Sequence, residues 1–125
     1  MIQKGSTVKI NDNTGIKEIK CIHLYHGFFR RYSKIGDVIL GSVKKINLKK
    51  KNIKFKKGQM VNALLIQTKY SNQTKNFGIF FRENSGTIIS KQKKLLATRI
   101  FGPIQNIFRK TRFLKLISLA KGIIK

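Results

Sequence analysis

Met60-Val61-Asn62-Ala63-Leu64-Leu65-Ile66-Gln67-Thr68 is nearly all apolar and has the length of a strand, so it predicts the most buried strand of the chain. Working outward toward the N-terminus, Val38 to Ile46 reads as a second strand, and Thr7-Val8-Lys9-Ile10 alternates polar and apolar residues. Asp12-Asn13-Thr14-Gly15 and Ile35-Gly36-Asp37 supply turn residues that tolerate unusual backbone angles. Between them, Ile16, Ile19, Ile22 and Leu24 precede Gly27 at a spacing that is not strictly two, which predicts a bulge or a twist. On the other side of the central run, Gly78-Ile79-Phe80-Phe81 and Thr87-Ile88-Ile89 read as further strands. Five or more short strands joined by short connections predict a small closed barrel over residues 1–90.

Residues 47–58 hold six lysines, with Leu48, Ile53 and Phe55 interleaved, and no acid to balance them. That pattern predicts a hairpin arm projecting from the barrel rather than a solvated loop. After residue 90 the texture changes: residues 91–125 carry ten basic groups and no acid. Pro103 suits the first turn of a helix, Ile104, Ile107 and Phe108 share a helical face, and Phe113, Leu116, Ile117 and Ala120 repeat that spacing. Two short helices separated near Thr111 are expected to pack on the barrel, in one domain spanning residues 1–125.

The charge narrows the function. Twenty-eight Lys and Arg residues face four carboxylates, a formal +24 on 125 residues. A free-standing domain gains only self-repulsion from such a surface, so the imbalance points to a polyanion partner, and nucleic acid releases counterions when it is neutralised. Hydrophobic residues make up 41% of the chain, far too many for a disordered basic tail.

Other chemistries fare poorly. Asp12, Glu18, Asp37 and Glu83 are too scattered to pair as acid and base, and no phosphate-cradling glycine loop is present, so no catalytic residue is assigned. Cys21, His23 and His26 offer three zinc ligands, but a fourth ligand is missing and the net charge repels cations, so no metal or other cofactor is expected. The lone Cys21 precludes an internal disulfide. A basic amphipathic C-terminal third would suit an anionic membrane, yet the same apolar stripe is needed to cover a barrel this small, so no membrane partner is expected. No apolar run approaches the roughly 18 residues of a bilayer span. Lys (22), Ile (19) and Asn (9) together make 50 of 125 residues, all with A/T-rich codons, as in organelles and reduced bacteria. The start lacks a signal core or an Arg-rich presequence, so an organelle-encoded protein is expected.

Met1-Ile2-Gln3, Asp12-Asn13-Thr14-Gly15, Cys21-Ile22, Arg30-Arg31-Tyr32, Gly36-Asp37-Val38-Ile39, Lys56-Lys57-Gly58, Thr98-Arg99-Ile100-Phe101-Gly102-Pro103 and Ile117-Ser118-Leu119-Ala120 occur in that order. In order and spacing they resemble the ribosomal large-subunit protein L-fourteen family over nearly the whole chain, with Thr98 to Pro103 the most specific segment. The departures are Ala97 for a glycine, Lys75-Asn76 for an Asp-Gly turn, and Ala120 to Lys125 for an acidic ending. Phe81-Arg82-Glu83-Asn84 keeps the family's F-x-x-N spacing.

The resemblance implies a mainly β protein: a small closed five-stranded antiparallel β-barrel with a projecting lysine-rich β-ribbon at 47–58 and two short C-terminal helices. It implies a structural constituent of the large subunit that binds rRNA at the intersubunit face and contributes to an intersubunit bridge. Its implied partners are large-subunit rRNA, neighbouring large-subunit proteins, small-subunit rRNA across the interface and, in some relatives, a ribosome-silencing factor. The expected RNA contacts are Arg30, Arg31, Lys49, Lys50, Lys51, Lys54, Lys56, Lys57, Arg82, Arg99, Arg109 and Arg112, with arginines suited to bidentate phosphate binding. The expected protein interface is Thr98, Arg99, Phe101 and Ser118. A mitochondrial ribosome is preferred over a plastid one, because plastid members stay closer to the bacterial ending. The alternatives are a free-standing cationic RNA-binding barrel, against which the dispersed aromatics count, and a membrane-surface protein.

Overall fold

The structure is a computed structural model that describes residues 1–25, 27–69, 72–74 and 77–124. Five strands form a closed barrel in the order β1 (Thr7–Ile10), β2 (Ile16–Leu24), β3 (Val38–Ile46), β4 (Met60–Gln67) and β7 (Ser85–Ile89). Between β4 and β7 the chain makes an antiparallel two-stranded excursion, β5 (Asn72–Thr74) and β6 (Phe77–Ile79). The Lys75-Asn76 turn lies outside the described residues. Beyond the barrel come β8 (Ile100–Gln105), a 3-10 turn (Asn106–Lys110), helix α1 (Lys115–Leu119) and β9 (Ala120–Ile124).

Alternation explains most of the barrel. Val8, Ile10, Ile16, Ile19, Cys21, Ile39, Val43, Val61, Ala63, Leu65 and Ile88 point inward and form one core. The expected irregularity in β2 is present as register shifts at Ile16/Glu18, Glu18/Ile19 and Cys21/His23, which supply the bend a small barrel needs to close. The run in β4 is continuous because both of its faces are covered. Leu64 and Ile66 turn outward into a second core with Ile35, Ile89, Ile100, Ile104, Phe108 and Leu116. A buried relay crosses between the two layers: Ser85 Oγ donates to Gln67 Oε1 at 2.9 Å, and Gln67 Nε2 donates to the Pro103 carbonyl at 2.7 Å.

Three expectations need correction. The barrel is not wholly antiparallel, because β1 and β7 pair in parallel, Lys9 with Ser85 and Ile10 with Gly86. Residues 47–58 form no β-ribbon. They are coil, with Ile53 reaching the Gly15 position and Phe55 packed on the barrel core, so their apolar residues fold the segment back instead of pairing strands. Pro103 starts no helix: it lies in β8, paired in parallel with β9, where a two-stranded edge tolerates the missing N–H. The C-terminal helical content is the 3-10 turn and α1, and residues 120–124 are strand. The apolar stripe thus covers the barrel partly as strand, which short apolar runs do not distinguish from helix.

Candidate nucleic-acid interface

All four carboxylates are engaged within the protein. Glu83 pairs with Lys9, and Glu18 pairs with Lys45 at 2.9 Å. Asp37 Oδ2 accepts from the Lys34 N–H at 2.8 Å, an ordinary turn cap. Asp12 is buried. Its Oδ1 accepts from the N–H and hydroxyl of Thr14, and its Oδ2 accepts from Thr87 Oγ1 at 3.0 Å and Ile88 N–H at 2.9 Å. Capping the turn is therefore half of its work, since the other oxygen holds β7. With the acids used this way, the twelve expected RNA-binding cations are all exposed and the field they produce is positive.

The turn between β1 and β2 organises one end of the barrel. Asn13 Oδ1 accepts from the N–H groups of Thr98 (3.0 Å) and Arg99 (3.4 Å), and Asn13 Nδ2 donates to Thr98 Oγ1. On its other flank the Lys50 ammonium donates to the Asn13 carbonyl. Asn13, Asn52, Lys54, Phe55 and Thr98 line one hollow of ≈ 210 Å³. A neighbouring hollow of ≈ 240 Å³ is lined by Asn11, Lys17, Asn47, Lys50 and Phe101, whose N–H donates to the Asn11 carbonyl at 2.8 Å. So two segments far apart in sequence, the lysine-rich coil and Thr98 to Phe101, meet on either side of one turn.

This end of the barrel joins Lys50 and Lys54 with Thr98, Arg99 and Phe101, and adds Lys17 and Asn13, which sequence reasoning missed. Asn13 stood in the turn motif, but a turn residue carries no sign of a partner some 85 positions away. Lys49, Lys51, Lys56 and Lys57 lie along the same exposed coil. Other expected residues sit elsewhere. Arg82 is exposed next to the Lys9–Glu83 pair, Arg109 and Arg112 flank the end of the 3-10 turn, and Ser118 is exposed on α1, with its hydroxyl donating to the Lys115 carbonyl.

Arg30 and Arg31 lie in the β2–β3 connection, beside a hollow of ≈ 600 Å³. This loop also gathers aromatics that are dispersed along the sequence. Tyr25, Phe28, Phe29 and Tyr32 are all exposed on it. Tyr25 is anchored, since its hydroxyl donates to Asn62 Oδ1 at 3.1 Å and its ring meets His23 edge-on at 5.4 Å.

The zinc question rests on Cys21, His23 and His26. Cys21 is buried in the barrel core while His23 is exposed, so the two do not share a face as an even spacing implied. The register shift between Cys21 and His23 is the reason. His26 lies outside the described residues. Burial pushes the Cys21 thiol above its ordinary value, with the charge of Lys4 opposing the shift. A protonated, buried thiol is a packing residue rather than a ready metal ligand.

No helix among the described residues is long and apolar enough to cross a membrane. In the C-terminal third Ile104, Phe108 and Leu116 are buried in the second core, while Phe101, Ile107 and Leu114 are exposed. Across residues 1–124 the chain matches the family model for ribosomal protein L14p/L23e.

Proposed function

The chain belongs to the ribosomal protein L14p/L23e family, and on that premise we propose that its Asn13-centred end faces the small subunit in the assembled ribosome. It is a large-subunit ribosomal protein that binds rRNA, and it is a structural protein rather than an enzyme. The observation that carries the finer reading is the meeting of Lys50 and Lys54 with Thr98, Arg99 and Phe101 around one turn. Cations there neutralise phosphate without reading sequence, while an exposed Phe101 and the Thr98 hydroxyl offer contacts to a protein or RNA neighbour. In this reading Thr98, Arg99, Phe101 and Ser118 contribute to an intersubunit bridge and to the surface a silencing factor would use. Arg30, Arg31, Lys49, Lys51, Lys56, Lys57, Arg82, Arg109 and Arg112 hold large-subunit rRNA. The whole chain acts as one ribosomal-protein domain. The Lys, Ile and Asn usage supports an organelle ribosome, the divergent ending from Ala120 favours the mitochondrial one, and co-sedimentation with large subunits from purified mitochondria tests that placement.

Arg99→Ala is expected to leave the melting temperature unchanged, because the side chain is exposed, and to lower the yield of joined ribosomes. The comparison is a sucrose-gradient ratio of joined to free large subunits. Normal joining at equal stability removes Arg99 from the interface.

Removing Lys49, Lys50 and Lys51 together is expected to flatten the salt dependence of rRNA binding. Each neutralised duplex phosphate contributes a slope of about 0.9 in log K against log salt, so the slope should fall by roughly two to three units. An unchanged slope across a salt titration would show that this coil does not touch RNA.

A further inference from the structure

Phe28 and Phe29 are 89% and 88% exposed, the least covered aromatic rings among the described residues. They touch each other edge-on, with ring centroids 4.3 Å apart and planes at 64°. Each phenylalanine has on the order of 150–250 Å² to bury, so two side by side form a patch of the size that marks an interaction surface. The backbone is set to hold them out. Gly27 has φ 78° and Phe29 has φ 69°, and a bulky residue in that region is an outlier of the kind that clusters at binding sites.

The surroundings select the ligand. The hollow beside the pair is also lined by Lys4, His23, Arg30 and Arg31, with no carboxylate among its described lining residues. Its volume, ≈ 600 Å³, lies in the usual range of small-ligand pockets. Apolar ring faces framed by cations suit unpaired nucleotides, whose bases stack on aromatics while their phosphates meet arginine. A duplex keeps its base faces covered by stacking and has none to offer. An apolar protein segment would fill the patch but leave the surrounding cations without partners.

We propose that Phe28 to Arg31 form a stacking clamp for one or two unpaired RNA nucleotides, with the phenylalanine rings on base faces and Arg30 and Arg31 on the flanking phosphates. The clamp rests on the rRNA-binding reading and adds to it the kind of RNA element held at this loop.

The test uses the full chain and fluorescence anisotropy with two probes. One is a single-stranded oligoribonucleotide of about 12 nucleotides, within the usual site size. The other is a blunt duplex containing the same sequence. The double variant Phe28→Ala/Phe29→Ala is expected to bind the single strand at least about tenfold more weakly, the loss of one stacked base, with duplex affinity unchanged. Phe28→Tyr/Phe29→Tyr should restore single-strand binding. Arg30→Ala/Arg31→Ala should lower the single-strand salt slope by about 1.4, at about 0.7 for each phosphate. If the alanine variant keeps wild-type affinity for the single strand, the clamp is overturned while duplex binding still upholds the rRNA reading, and the patch belongs to a protein neighbour. Equal loss on both probes also overturns it, since the rings then do not discriminate unpaired bases. A wild-type chain that binds large-subunit rRNA but not the single strand also overturns the clamp and leaves the rRNA reading standing.

Discussion

Asp12→Ala is expected to destabilise the protein by about 3–5 kcal/mol, a large share of the 5–15 kcal/mol available to a domain of this kind. The buried carboxylate accepts hydrogen bonds from both the Thr14 turn and the second half of β7, so its removal strands the Ile88 N–H and the Thr87 hydroxyl in the interior. Each unsatisfied buried donor costs roughly 1–3 kcal/mol. Asp12→Asn should recover part of the loss, because its amide nitrogen must face one of the two backbone N–H donors whichever way it is turned. Chemical denaturation of the three proteins measures the differences. A loss under about 1 kcal/mol for the alanine variant would mean that water replaces the carboxylate. The variant should also disturb the interface, since the same turn presents Asn13 to Thr98 and Arg99.

Gly86→Ala is the second large effect. Gly86 lies between two partners, Ile10 in parallel and Leu65 in antiparallel pairing. A Cβ there would stand 2.8 Å from the Leu64 carbonyl oxygen and 3.7 Å from Val8 Cγ1. The Leu64 backbone has no freedom to yield, because Leu64 pairs with both Val38 and Thr87. Overpacking of this sort costs about 1–3 kcal/mol and more where backbone must shift, so a loss of about 3 kcal/mol is expected. Gly5→Ala provides the contrast. Its φ of 86° is strained for alanine, but nothing lies within 4 Å of the added methyl. It should cost only about 1 kcal/mol. Equal melting temperatures for the two variants would show that the barrel seam can open around a methyl group.

The sequence shows some parts of this fold and hides others for physical reasons. Strands with one buried face declare themselves, and Thr7–Ile10 and Val38–Ile46 have the bounds their alternation predicts. The Met60 run was legible as a heavily buried strand because Leu64 and Ile66 break alternation toward a second apolar layer, but β7, buried at all five positions, exceeds it and was hidden by its small and polar residues Ser85, Gly86 and Thr87. The parallel closure was not legible, since side chains alternate identically in parallel and antiparallel strands. Pro103 misled because its fixed φ serves a helix start and an edge strand alike. At the interface, the lysine-rich coil and Thr98 to Phe101 were each visible as segments. Their meeting depends on Asn13, whose hydrogen bonds span the length of the barrel domain in sequence. Phe28 and Phe29 were hidden among nine phenylalanines, because exposure is a property of the fold and not of composition.

The parallel seam has a consequence for the order of assembly. Lys9 meets Ser85, so the last ladder of the barrel joins segments separated by most of the chain, and closing so long a loop is entropically unfavourable until its contacts form together. Ring closure therefore belongs to the late steps of folding. Until then β4 has its apolar residues without their cover, in a chain whose net +24 charge resists compaction. A polyanion that lowers this repulsion acts before the native surface exists as well as after. Neutralisation by rRNA is therefore expected to favour ring closure as well as to hold the finished protein.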